Sequence, residues 1–363
     1  MLQNLARGRS AAIWAAAALT FGLMPASAQT PPLKAAFVYV SPVGEAGWTY
    51  QHDQGRLAMQ KALGDQVKTT VVESVAEGPD AERVMRDLAA QGHTLIYATS
   101  FGYLEPALRV AADFPKVKFE HAGGYKTAPN LNTYNARFYE GRYLAGLLAG
   151  KASRSGVAGY VAGFPVPEVV QGINAFTLGM REVNPNAQVK VMWLNTWFDP
   201  ARERDAALTL VNQGADVLTN HSGSPAVAQA AQEKGVKLVA YQSDMRRYAP
   251  DAQLTSIVHQ WGGYYTQVAK AALAGQWKAQ PMWGGMKDGF ITLAPFGAGV
   301  TKDAAALVEA RRKAIVAGRF KPFSGRIVDS EGQLRLADGE LDDRAIATMN
   351  WFVQGVVGSL PKQ

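Results

Sequence analysis

Aromatic and small polar side chains recur just beyond the apolar, strand-like runs of this 363-residue chain. Trp48 and Tyr50 follow LKAAFVYV, Phe101 and Tyr103 follow TLIYAT, and Trp197 and Phe198 follow QVKVMWL. The run ending at Thr219 is followed by Asn220, His221, Ser222 and Gly223. Asp244 lies just past KLVAY, and His259 and Trp261 just past TSIV. Indole and phenyl faces stack on flat ligands, and short polar groups or a glycine beside them orient a ligand and let backbone approach it. This is the chemistry of holding a planar small molecule. A single aromatic at such a place is equally at home in a core, but recurrence at one topological level favours a shared ligand face.

Residues for bond-breaking chemistry are missing. There is no GxSxG, no P-loop and no HExxH. The five histidines (His52, His93, His121, His221 and His259) have no metal-ligand spacing, and without cysteine there is no disulfide, thiolate site or thiol nucleophile. Glu120–His121 and His52–Asp53 pair an acid with a histidine, but read as strand-end and helix-face residues. GVAGYVAG (156–163) is not GxGxxG and reads as a strand that packs closely. Asp244 fits either a cap for the residues from Met245 or a ligand contact. The expectation is a binding protein, not an enzyme, with neither cofactor nor metal.

The elements that must position these residues alternate strand and helix. Strands are expected at 33–40, 67–73, 94–99 and 117–121, with helices at 48–63 (Leu57, Met59 and Leu63 among its apolar positions), 80–91 and 104–114. A helix over 138–152 carries small residues spaced for close packing. A second series follows, with strands near 156–162, 188–194, 215–219, 236–241 and 254–258 and helices near 167–184, 200–213, 225–234 and 261–274. A hairpin-like region at 283–296 and helices at 302–317 and 342–357 complete the chain. This pattern is α/β: two doubly wound lobes joined by a hinge. The lobes are assigned to 29–132 with 258–290 and to 133–257, with 291–363 completing both. Crossings are expected at 127–137, 249–256 and 290–298. Residues 1–28 read as a cleaved secretory leader, with Arg7 and Arg9 before an apolar run and Ala26-Ser27-Ala28 as the exit. Export, with no cysteine to lipidate, implies a free periplasmic protein. The net charge of +7 is mild for this length and includes no basic block suited to nucleic acid.

KAAFVYVSPVGEAGWTYQHDQGR, HTLIYATSFGY, FTLGMREVNPNAQVKVMWLNTWFDP, VLTNHSGSP, KLVAYQSDM and LTSIVHQW occur in that order. Together they resemble the basic membrane protein family of ABC-transporter substrate-binding proteins, over about 33–296. The resemblance implies a type I periplasmic-binding-protein fold and a purine held between aromatics of the two lobes. Trp48 matches the first aromatic and Trp197 or Phe198 the second. Gly223 matches a glycine that admits backbone to the ligand, and Asp244 an acid for ribose hydroxyls or a base amine. The chain departs from the family's nucleoside binders at Gly123, where they carry Asp, and at His259, where they carry Lys. It also lacks the lipoprotein cysteine. Losing two polar partners points to an adenine-like free base rather than a nucleoside, with Tyr50, Phe101, Tyr103 and His259 as further candidate contacts. The implied partners are that ligand and ABC permease subunits, with the protein acting as a monomer. A periplasmic sensor is the alternative, and a nucleoside hydrolase a more distant one.

Overall fold

The computed structural model describes residues 31–361, so the leader expected over 1–28 lies outside the described residues. The chain opens with β1 (Leu33–Val38), α1 (Trp48–Leu63), β2 (Val67–Val72), α2 (Pro79–Ala90), β3 (Leu95–Ala98), α3 (Leu104–Asp113), β4 (Lys118–Ala122) and β5 (Leu131–Ala136). The helix α4 (Phe138–Ala152) leads into a second series. This comprises β6 (Val157–Ala162), α5 (Pro167–Val183), β7 (Gln188–Trp193), α6 (Pro200–Asn212), β8 (Val217–His221), α7 (Ala226–Lys234), β9 (Lys237–Gln242) and β10 (Gln253–His259). The chain returns through α8 (Gly262–Leu273) and β11 (Met282–Gly284), then crosses to β12 (Ile291–Leu293). It ends with α9 (Lys302–Val316), β13 (Ile327–Val328), β14 (Leu334–Leu336), α10 (Asp343–Ala347) and β15 (Val356–Val357).

Two large sheets result, in the order β11-β5-β4-β3-β1-β2 and β12-β10-β9-β8-β6-β7-β15. The first is parallel, and in the second only β12 runs against its neighbour. Helices cover both faces of a doubly wound sheet, so its strands are apolar on both faces; Ala35 to Val38 of β1 are all fully buried. Prolines open α2, α5 and α6, where a missing N–H costs nothing, and the Asp199 side chain accepts from Arg202 N at the start of α6. The small residues of α4 let it meet α5 backbone to backbone. A Cβ on Gly146 would lie 2.1 Å from Phe176 O, and one on Gly179 2.1 Å from Tyr143 O.

Several expectations need correction. Residues 131–136 are not a linker but β5; the strand expected at 254–258 is present as β10, and the second crossing follows His259 rather than preceding Ser256. The third precedes Ile291, between β11 and β12. Both stretches are polar, and internal partners explain their burial. Asn132 donates to Glu120 Oε2 and Tyr264 Oη, and Thr255 Oγ1 donates to Ala294 O. The hairpin-like region supplies two strands to different sheets: β11 pairs β5, and β12 pairs β10. The last expected helix stops at Ala347. The chain turns at Gly355 (φ +101°) and lays β15 beside β7. Leu57 is 44% exposed, whereas Met59 and Leu63 are buried.

Candidate functional site

A narrow slot of about 540 Å³, counted out to its mouth, lies where the two sheets direct their strand ends at one another. In the first sheet the strand order reverses around β1 and β3, and in the second around β6 and β8. Crevices outside such switch points receive ligands in open α/β sheets. The slot draws on nearly every strand that reaches it. Val40, Ser41 and Trp48 follow β1, Ser100 and Phe101 follow β3, and Ala122 and Gly123 end β4. From the second lobe come Val166 and Glu168 after β6, Trp197 after β7, His221 to Gly223 at β8, and Gln242 at the end of β9.

The two indoles are held by groups that leave ring surface to the slot. Trp48 donates from Nε1 to Thr99 O (2.7 Å). It meets His52, Phe138, His259 and Trp261 in edge-type contacts at 4.4–6.2 Å between centroids. Trp197 is braced by Phe164 at 4.8 Å, and its Nε1 reaches across the cleft to Glu77 Oε1 (3.2 Å). The same oxygen accepts from Ser100 Oγ and Gly102 N, so Glu77 shapes the loop after β3 and holds the second lobe's indole. A Cβ on Gly163 would lie 2.7 Å from the Trp197 ring, which gives the glycine-rich β6 segment a role in seating that residue.

Buried polar groups position the remaining wall. Arg142 of α4 is fully buried; it donates to Thr219 Oγ1 and Asn220 O, and its guanidinium carbon lies 3.3 Å from the Tyr241 ring centroid. Glu203 Oε2 accepts from Ser222 Oγ, Ser224 Oγ and Ser224 N, clamping the turn that carries Gly223. Burial lowers the basicity of His52, His221 and His259, so these rings are neutral around the slot. Glu168 is the only acidic side chain on the wall. Its Oε2 accepts from Asn135 Nδ2 (2.8 Å), and its Oε1 lies 3.4 Å from His221 Nε2. Gln242 is 3% exposed, has a left-handed backbone (φ +70°) and leaves Oε1 without a partner. An unsatisfied acceptor beside a cavity is a group awaiting a ligand donor. Among the described residues, no cluster of three or more His, Cys, Asp or Glu could hold a metal ion, and no helix is long and apolar enough to cross a membrane.

Residues 33–327 match the model of a protein family described as ABC transporter substrate-binding protein, PnrA-like. The chain belongs to this family. A purine-binding protein of Brucella abortus is 51% identical over 331 residues, covering 91% of this chain and 94% of the relative. A Haloferax volcanii protein named as a candidate ABC transporter glucose-binding protein is 37% identical, covering 94% of this chain and 84% of its own. A crystal structure of an ABC transporter solute-binding protein from Aeropyrum pernix superimposes with a TM-score of 0.70 at 18% identity, over 80% of this chain and 93% of the other. The protein is therefore a PnrA-like substrate-binding protein of an ABC transporter, and its two lobes have the periplasmic-binding-protein architecture.

Of the residues singled out in this PnrA-like chain, the structure brings Trp48, Phe101, Trp197, His221, Ser222 and Gly223 to the slot. Five others are placed elsewhere. Tyr103 is fully buried and donates to Val75 O, in the core behind the wall. Phe198 packs against Gly223, and Tyr50 sits off the slot. Asp244 is half-exposed; it accepts from Arg246 N and Gln253 Nε2, which is the capping alternative in a turn rather than a helix. His259 lies one layer back, stacked on Phe138 at 4.3 Å. The adjacent acid–histidine pairs are structural. His52 bonds Tyr265, Asp53 bonds Tyr39 and Arg56, and Glu120 bonds Tyr264 and Trp277. Gln242 and Glu168 escaped the sequence reading, although Gln242 stands at a strand end, where a ligand residue is expected.

Proposed function

We propose that this PnrA-like protein captures a purine base, adenine-like rather than nucleoside, and presents it to the permease of an ABC importer. The observation that carries this reading is the slot itself: narrow, and flanked by an indole from each lobe. The base would lie between Trp48 and Trp197, with Gln242 on its polar edge. A carboxamide that both donates and accepts is complementary to an amino group beside a ring nitrogen, the pattern adenine displays. The name of the 51% identical Brucella relative supports a purine. A monomer acting in the periplasm after leader removal completes the proposal.

Tryptophan fluorescence tests it. Adenine should change the emission saturably, and Trp48→Ala should weaken adenine about 10- to 100-fold, as loss of about 1–3 kcal/mol of base stacking implies. A Trp48→Ala protein that binds adenine like the wild type would contradict the stacking.

A further inference from the structure

We infer that Glu168 is the residue that selects a free base over its N9-substituted form, by accepting the ring N–H that a nucleoside lacks. This assignment rests on the purine reading above and names the group that sets its specificity.

Three observations carry it. First, Glu168 is the only acidic side chain on the slot wall. Second, Gly123 leaves space beside it: a Cβ built there would lie 3.5 Å from Glu168 Oε2. The carboxylate from α5 therefore occupies the region where a side chain at 123 would stand. Third, its orientation is fixed from the opposite lobe. Asn135 Oδ1 accepts from Ala136 N (2.8 Å), which commits Nδ2 to donating to Glu168 Oε2. Oε1 lies 3.4 Å from His221 Nε2, and the lowered basicity of that ring keeps it neutral, so it offers at most one N–H and no full charge.

A carboxylate accepts and never donates, so it requires an N–H from the ligand. The ring N–H is the most acidic N–H of a purine and pairs best with an anion. Gln242 on the same wall can take the amino edge. Replacing the ring hydrogen by carbon sets a methyl against a partly buried carboxylate oxygen and withholds the donor it would take, a loss for which binding sites reject analogues strongly.

Calorimetric titrations with adenine and 9-methyladenine test the assignment on the wild type, Glu168→Gln and Asn135→Ala. In Glu168→Gln the amide oxygen should stay on Asn135 and turn its NH₂ to the ligand, so donor meets donor. The wild type should prefer adenine by about 100-fold. Glu168→Gln should narrow that preference to within about threefold, with an unchanged Tm. Asn135→Ala, which removes the donor that orients Glu168 and the acceptor of Ala136 N, should weaken adenine more than 9-methyladenine and so shrink the preference without abolishing it. A preference that survives Glu168→Gln, or no preference in the wild type, overturns the role of Glu168 while leaving purine binding intact. A wild type that binds neither ligand overturns the purine reading and this assignment with it.

Discussion

A Gly47→Ala protein should fold and yet bind ligand at least about 100-fold more weakly than the wild type, because its cleft will not shut. Gly47 precedes α1 at φ +97° and ψ −166°, a combination open essentially to glycine alone. It is also a point of close contact between the lobes. Gly47 N donates to Ser243 Oγ (2.8 Å), Ser243 Oγ donates back to Gly47 O (3.2 Å), and a Cβ on Gly47 would lie 2.0 Å from Gly223 O. Backbone cannot yield as a flexible side chain does. The alanine therefore blocks the closed arrangement while leaving each lobe's core untouched. A ligand shifts a two-state equilibrium only through its preference for one state, so raising the closed state by about 3 kcal/mol costs over 100-fold in affinity. Small-angle scattering should show the variant remaining extended under saturating adenine. A variant that contracts and binds like the wild type would show that this contact does not govern closure.

Acid should destabilise the protein below about pH 6. Four buried histidines carry this expectation. Burial lowers His121 to about 3, His52 and His259 well below the usual value, and His221 in the same direction despite the nearby Glu168. Above the ordinary histidine value of 6.5, both folded and unfolded chains hold these rings neutral, and the stability is fully present. As pH falls, the unfolded chain takes up protons that the buried rings refuse, and stability is lost. Each proton is worth about 1.4 kcal/mol per pH unit. Glu120 opposes this. Burial raises it to about 7, so the folded state keeps a proton that the unfolded chain releases above about 4.5, and its contribution fades as pH rises through 7. Burial raises Glu140 and Glu203 in the same direction as Glu120, so three carboxylates offset part of the histidine loss and the slope near pH 5 is shallower than four histidines alone would give. Thermal melts from pH 8 to 4 should show Tm level near neutrality and falling below 6. A Tm that is flat or rises toward pH 5 would contradict the neutral state of these histidines.

Much of the fold was legible because buried parallel strands leave unbroken apolar runs and helices announce their starts. The helix α1 begins at Trp48 as its sequence suggests, and the small residues of α4 do pack against α5. The missed elements are those whose polarity is satisfied internally. Asn132 and Thr133 in β5 look like linker residues until their partners are known, and the polar Gln253, Thr255 and Ser256 of β10 placed a crossing where the second sheet continues. At the site, the strand-end rule located Trp48, Phe101, Trp197, His221, Ser222 and Gly223. It passed over Gln242 for Asp244 because the left-handed backbone at 242 redirects the chain there, leaving Asp244 half-exposed. Glu168 was illegible for another reason. An acid in the first turn of a helix is ordinary, and its importance comes from Asn135 and Gly123, which belong to the other lobe.

The central claim is that a purine base occupies the slot between Trp48 and Trp197, and calorimetric titration of ligand-stripped wild-type protein tests it most directly. Adenine should bind at one site with a Kd of about 1 μM or below, and adenosine more weakly. No binding heat from adenine, guanine or hypoxanthine at any temperature tried, with the protein folded, would contradict it.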